Sequence, residues 1–161
     1  MDNPGETRFD TFKDHLVALD SLLNATKREL CLFDTDLKTP NLESPQRAQL
    51  LADLLLASPG HRLRIVLHDT DHVERHCPRL MLLLKRFTHN FEIRRTPDDL
   101  RHLTKCFAVG DQSHGVVRFH AGHGRGKLLL DVPAEVEGWR RQFDELWECS
   151  QHGLSPTRLG L

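Results

Sequence analysis

The sequence predicts an α/β domain built on a single mixed β-sheet, a parallel βαβ part followed by an antiparallel meander, with helices on both faces. Three observations predict it. Leu30-Cys31-Leu32-Phe33, the alternating Leu63, Ile65 and Leu67, and Phe91 with Ile93 are short β-type runs separated by helical stretches. Between Lys105 and Leu130 three further β-rich runs follow one another with only turns between them. Apolar residues recur at three- and four-residue steps in every intervening segment, the mark of helices that each bury one stripe.

Residues 1 to 8 read as a loose lead-in, 9–150 as a single domain, and 151–161 as a frayed tail. Phe12, Leu16, Leu19 and Leu23 form an amphipathic helix from Asp10 to about Lys27. The first strand follows and ends at Asp34-Thr35-Asp36; Thr39-Pro40-Asn41 is a turn. Ser44-Pro45 opens the next helix, because Ser is a good N-cap and Pro suits the first helical position. Its stripe is Leu50, Leu51, Leu54 and Leu55, and Ser58-Pro59-Gly60 stops it. After the second strand, Asp69-Thr70-Asp71 caps a short turn of helix to His76, and Pro78 opens a stronger helix carrying Leu80, Leu83, Leu84 and Phe87. The third strand, Phe91 to Arg94, breaks at Pro97-Asp98-Asp99. In the meander Phe107 and Val109 alternate with Cys106 and Ala108, and Gly110-Asp111 to Gly115 is turn chemistry. Val116, Val117 and Phe119, then Leu128 to Leu130, make the next two strands. Val132-Pro133 restarts a helix whose Val136, Trp139, Phe143, Leu146 and Trp147 share a core-docking face.

A net charge of −1 on 161 residues gives no bulk attraction to nucleic acid or membrane, so any anion site must be a local patch. The longest purely apolar run, Leu80 to Leu84, falls far short of the roughly 20 residues of a spanning helix. The acidic start lacks the apolar stretch of a secretory signal. Cys31, Cys77, Cys106 and Cys149 show no CxxC spacing, and three lie in or beside apolar runs, as reduced thiols do. A cytoplasmic location without membrane insertion is the expectation.

Three clusters carry chemistry. His102, Lys105 and Asp111 flank the first meander strand; the competing account makes them a loop residue, a strand-edge cation and a turn former. Arg118, His120, His123, Arg125 and Lys127 put five basic or titratable groups into ten residues among glycines. They suit phosphate binding, since glycines allow close backbone approach and cations pair with oxygens, but they equally suit a solvated hairpin tip. His72 and His76 share a helix face at i,i+4, with His68, Asp69, Asp71 and Cys77 nearby, as in zinc or nickel sites. They also fit a strand end with surface histidines. No Walker or dinucleotide pattern is present, and no cofactor is expected. Asp34 and Asp36 close a strand whose carboxyl end could face a ligand crevice, or they only form the turn before Pro40.

The second half resembles one half of a phospholipase D-like domain. In that family a strand carries H-x-K-x-x-x-x-D, the next strand leads to G-[SG]-x-N, and a further strand feeds a closing helix. KCFAVGD resembles the K-x-x-x-x-D strand, and LLLDVPAEVEGWRRQFDELW resembles the closing strand and helix through Asp131, Pro133, Phe143 and Trp147. The pattern also resembles an uncharacterised bacterial domain. The motif is degenerate: with Lys105 in the lysine column, the histidine column holds Leu103 and the aspartate column Gly110, while His102 and Asp111 sit one residue off. A one-residue slip turns a strand side chain to the other face. The G-[SG]-x-N asparagine has no counterpart near Val116 to Phe119.

In the family the histidine attacks phosphorus, forming a phosphohistidine, while lysine stabilises the phosphate oxygens; two motif copies meet, so a chain with one copy would act as a homodimer. The resemblance therefore implies a non-catalytic domain binding a phosphate-containing ligand or a protein partner, with Lys105, Arg118, His120, His123 and Arg125 as ligand residues. The rivals are a homodimeric phosphodiesterase or nuclease using His102, Lys105 and Asp111, and a metal-binding regulatory domain using His72 and His76. Nucleic acid stays open as a ligand.

Overall fold

The computed structural model describes residues 4–154. One eight-stranded sheet runs through the molecule in the order β1-β7-β6-β5-β2-β3-β4-β8. Its strands are β1 (Glu6–Phe9), β2 (Glu29–Asp34), β3 (Arg62–Leu67), β4 (Phe91–Arg95), β5 (Cys106–Gly110), β6 (His114–Arg118), β7 (Gly126–Leu129) and β8 (Gln151–His152). The helices are α1 (Phe12–Ala25), α2 (Pro45–Leu56), α3 (Asp71–His76), α4 (Pro78–Arg86) and α5 (Pro133–Cys149).

Strand β2 is where the two halves of the sheet meet. It pairs in parallel with β3 and antiparallel with β5. The parallel series continues from β3 to β4 and the antiparallel meander from β5 through β6 to β7. This is the expected mixed sheet. The chain ends differ from expectation. Residues 6–8, read as lead-in, form β1 with Phe9 along β7, and the first two residues of the expected tail form β8 along β4. Both strands are short and mostly exposed, so neither carries the two-residue alternation that betrays a half-buried strand. The rest of the expected tail, 155–161, lies outside the described residues.

The pleat sorts side chains into two cores. Leu30, Leu32, Leu63, Ile65, Ala108, Val116 and Leu128 face α1, α2 and α4. Cys31, Phe33, Val66, Phe107, Val109, Val117 and Leu129 face α5 alone. Local chemistry starts the helices where the sequence places them: Thr11 accepts from the Asp14 amide at 3.0 Å and Ser44 from the Arg47 amide at 3.2 Å, while Pro45, Pro78 and Pro133 open α2, α4 and α5.

Helix α5 packs close because Gly115 leaves room for it. A methyl group there would stand 2.5 Å from the Trp139 ring. The aromatic stripe is core, as expected, and cations flank it. Arg64 lies 5.4 Å from the Phe143 ring centre, and Arg94 lies 4.0 Å from that of Trp147 while donating to its carbonyl at 2.9 Å.

Candidate functional site

Strand β5 divides the candidate residues between the two faces and the two ends of the sheet. Lys105 immediately precedes it and shares the face of Phe107 and Val109, toward α5. Its ammonium donates to Gln142 Oε1 on α5 at 2.9 Å and lies 5.5 Å from the Phe107 ring centre. It makes no ion pair among the described residues. Burial holds its pKa below the ordinary lysine value. Here a cleft of about 270 Å³ opens, with Phe33, Phe107 and Leu146 among its lining residues.

The 3-10 turn Asp98–Leu100 and the segment from it to β5 also line that cleft, through Leu100 and Leu103. His68, at the end of β3, fixes that segment. One ring nitrogen of this buried imidazole meets Thr96 Oγ1 at 2.6 Å and the other the Leu103 carbonyl at 2.7 Å. Arg101 donates back to the His68 carbonyl at 3.2 Å. His68 therefore serves this wall and not the histidine pair on α3.

The other face of β5 holds a buried polar group that sequence reasoning did not assemble. Arg118, 2% exposed, donates from Nη2 to Asp34 Oδ1 at 3.1 Å, and its Nε and Nη1 have no partner among the described residues. Cys106 stands opposite Arg118 in the sheet register. His15 of α1 completes the group, with its Nδ1 also without a partner among the described residues. The space beside His15, Asp34 and Cys106 is about 20 Å³, room for roughly one water molecule. Burial pushes the Asp34 carboxyl up against the pull of Arg118, and it pushes the Cys106 thiol up to about 12. Burial, reinforced by Arg118 and Arg47, lowers His15 to about 4, so its ring is neutral at pH 7. Asp34 also forms the expected turn, accepting from the Leu37 amide at 2.8 Å.

The structure does not bring His102, Lys105 and Asp111 together. His102 is exposed in the loop before β5. Asp111 lies past the opposite end of the strand, roughly 20 Å from Lys105 at about 3.3 Å per residue. There its carboxylate accepts from the amides of Lys27, Arg28 and Glu29 at 2.6, 2.8 and 3.0 Å and ties the β5–β6 turn to the start of β2. Counting H-x-K-x-x-x-x-D back from Asp111 puts the lysine column at Cys106 and the histidine column at Thr104. That register fits the pleat, because Cys106 then faces Arg118 and Asp34.

The expected grouping of Lys105 with Arg118, His120, His123 and Arg125 is also divided. Arg118 is buried on the α1 side. His120, His123 and Arg125 occupy the exposed β6–β7 connection, with the two imidazole centres 5.5 Å apart and Arg125 3.2 Å from Asp10. Lys127 pairs with Glu6 and Glu135. The end of β6 is the reason: Arg118 is its last residue and turns into the core, whereas His120, His123 and Arg125 lie beyond the strand in the exposed connection to β7. His72 and His76 do stack along α3, 5.5 Å apart, but no group of three His, Cys, Asp or Glu side chains with metal-site geometry occurs among the described residues. Cys77 turns into the core, where burial raises its thiol to about 11.

The sheet order, the two helical layers and the closing helix define a phospholipase D-like α/β fold. Nuc from Salmonella typhimurium, a phospholipase D family member, superimposes with a TM-score of 0.64 at 12% identity over 93% of this chain and 99% of its own. NucT from Helicobacter pylori gives 0.58 at 11% identity over 92% and 98%. TrmBL2, an archaeal chromatin protein whose structure shows a novel mode of DNA binding, gives 0.65 at 15% identity over 92% of this chain; the present chain spans 54% of it. Residues 11–155 match the model of the domain of unknown function DUF7931, and the chain belongs to that family. No curated protein matches the sequence. No helix among the described residues is long and apolar enough to cross a membrane.

Proposed function

We propose that this domain is a non-catalytic phospholipase D-like module that binds a phosphate-containing or other anionic ligand at Lys105. The observation that carries the reading is a half-buried ammonium with no carboxylate partner among the described residues, standing in an open, largely apolar cleft. A cation removed from part of its water and left without a counter-charge gains from a bound anion. The loss of catalysis rests on the other face of β5. Counted from Asp111, the motif columns hold Thr104 and Cys106, the cysteine is a buried thiol at about 12, and the adjoining space is too small for a phosphodiester. The imidazole there among the described residues, His15, has Asp34, Arg118 and Cys106 for company beside a space of about 20 Å³.

Two measurements test this. A chromogenic phosphodiester should show no turnover at high protein concentration; turnover abolished by His102→Ala would restore the enzyme. Polyphosphate, or an oligonucleotide, which the DNA binding of TrmBL2 makes the natural second probe, should raise the melting temperature. Lys105→Ala should cancel the rise, and a flat response to both probes would leave a protein partner as the surviving role.

A further inference from the structure

The cleft beside Lys105 is built for more than a bare anion. Phe33 and Phe107 contribute aromatic surface from β2 and β5, Leu146 adds a branched side chain from α5, and Leu100 and Leu103 also line it. Except for Lys105, the ionisable groups lining it are Glu145 and Cys149, both exposed on α5. The wall carrying Leu103 is tethered through its carbonyl to the buried His68 ring, so the apolar surface is held open by hydrogen bonds that a ligand need not form. Lys105 has three donors and spends one on Gln142, leaving two for an oxygen ligand. Inorganic phosphate would use those donors and leave the apolar lining wet. A long polymer would lie across the opening without filling it.

Resting on the proposed anion-binding role, we infer that the cleft takes a small amphipathic oxyanion: a phosphate monoester or carboxylate on a short aromatic or branched body. The head sits on the Lys105 ammonium and the body lies between Leu103 and Leu146 over Phe107. A cleft of about 270 Å³ suits one ring with a short arm.

Calorimetric titration of the full chain tests this with phenyl phosphate, phenylacetate, inorganic phosphate and benzyl alcohol. Phenyl phosphate or phenylacetate should bind about tenfold or more tighter than inorganic phosphate, the gain expected from burying roughly 60 Å² of ring surface, and tighter than benzyl alcohol, which has the ring but no anionic head for Lys105. Which of the two leads distinguishes a phosphate from a carboxylate head. Lys105→Met should bring the leading ligand down to the level of benzyl alcohol. Leu103→Ser, altered on a loop anchored by its backbone, should erase the advantage of the ring and leave inorganic phosphate unchanged. Phenyl phosphate and inorganic phosphate binding equally, both through Lys105, would overturn the amphiphile and keep the anion site. Silence of all four ligands and of polyphosphate would overturn both.

Discussion

Arg118 and Asp34 decide what kind of interior the meander face of the sheet has. Two ions sit where the lattice of leucines would predict another apolar pair, and they hold one another at 3.1 Å. Removing one partner leaves the other buried without compensation. Arg118→Leu should therefore cost about 3–5 kcal/mol in urea unfolding, whereas Arg118→Leu with Asp34→Leu should cost less than the two single changes summed. His15 gives the same site a pH dependence. Its folded pKa of about 4 lies below the ordinary 6.5, so the unfolded chain takes up its proton first as pH falls. The contribution is fully present above pH 6.5 and is lost on the way down to 4. Between pH 7 and pH 5 the wild type should lose about 2 kcal/mol more than His15→Leu, and equal losses in paired urea titrations would rule the neutral buried ring out. The sequence did not announce this cluster. Alternation puts Val116 and Arg118 on one face, but nothing in a linear chain states that Asp34, on another strand, waits opposite.

At the scale of elements, Asp111 shows how a residue read correctly in one role can carry a second. The sequence assigned it to a turn, and the turn is there, with φ of 55° at Asp111 and 69° at Gln112. Its three amide contacts to the start of β2 are long-range and leave no local trace. Asp111→Ala should cost on the order of 2–4 kcal/mol, combining lost charge-assisted hydrogen bonds with left-handed strain. Asp111→Gly loses the same bonds without the strain and should be about 1 kcal/mol less destabilised; thermal unfolding of the pair separates the two causes. The helices were the most legible elements, because a stripe such as Leu80, Leu83 and Leu84 repeats its signal over several turns and its caps are local. The cleft was half legible. Lys105 could be singled out from the motif-like strand, but its wall depends on His68 meeting a carbonyl 35 residues away, which no spacing rule encodes.

For the whole molecule, the sheet is flanked at both edges by strands from opposite ends of the described chain, β1 along β7 and β8 along β4. The edge formed by β1 has the larger consequence. It pairs four residues with β7 from Glu6 opposite Leu129 to Phe9 opposite Gly126. Phe9 is buried beside His15, with ring centres 5.6 Å apart, so β1 also closes the end of the interior that holds Arg118. A chain starting at Asp10 would lose that cover and bare the β7 edge, whose unpaired N–H and C=O groups form a template for another strand. It should melt at lower temperature and associate more strongly with rising concentration than the intact chain in sedimentation velocity. The Lys105 cleft lies on the α5 face and borrows nothing from β1. Anion binding per folded molecule should therefore survive the truncation, and its loss would mean that the two faces of the sheet are coupled more tightly than their separate cores imply.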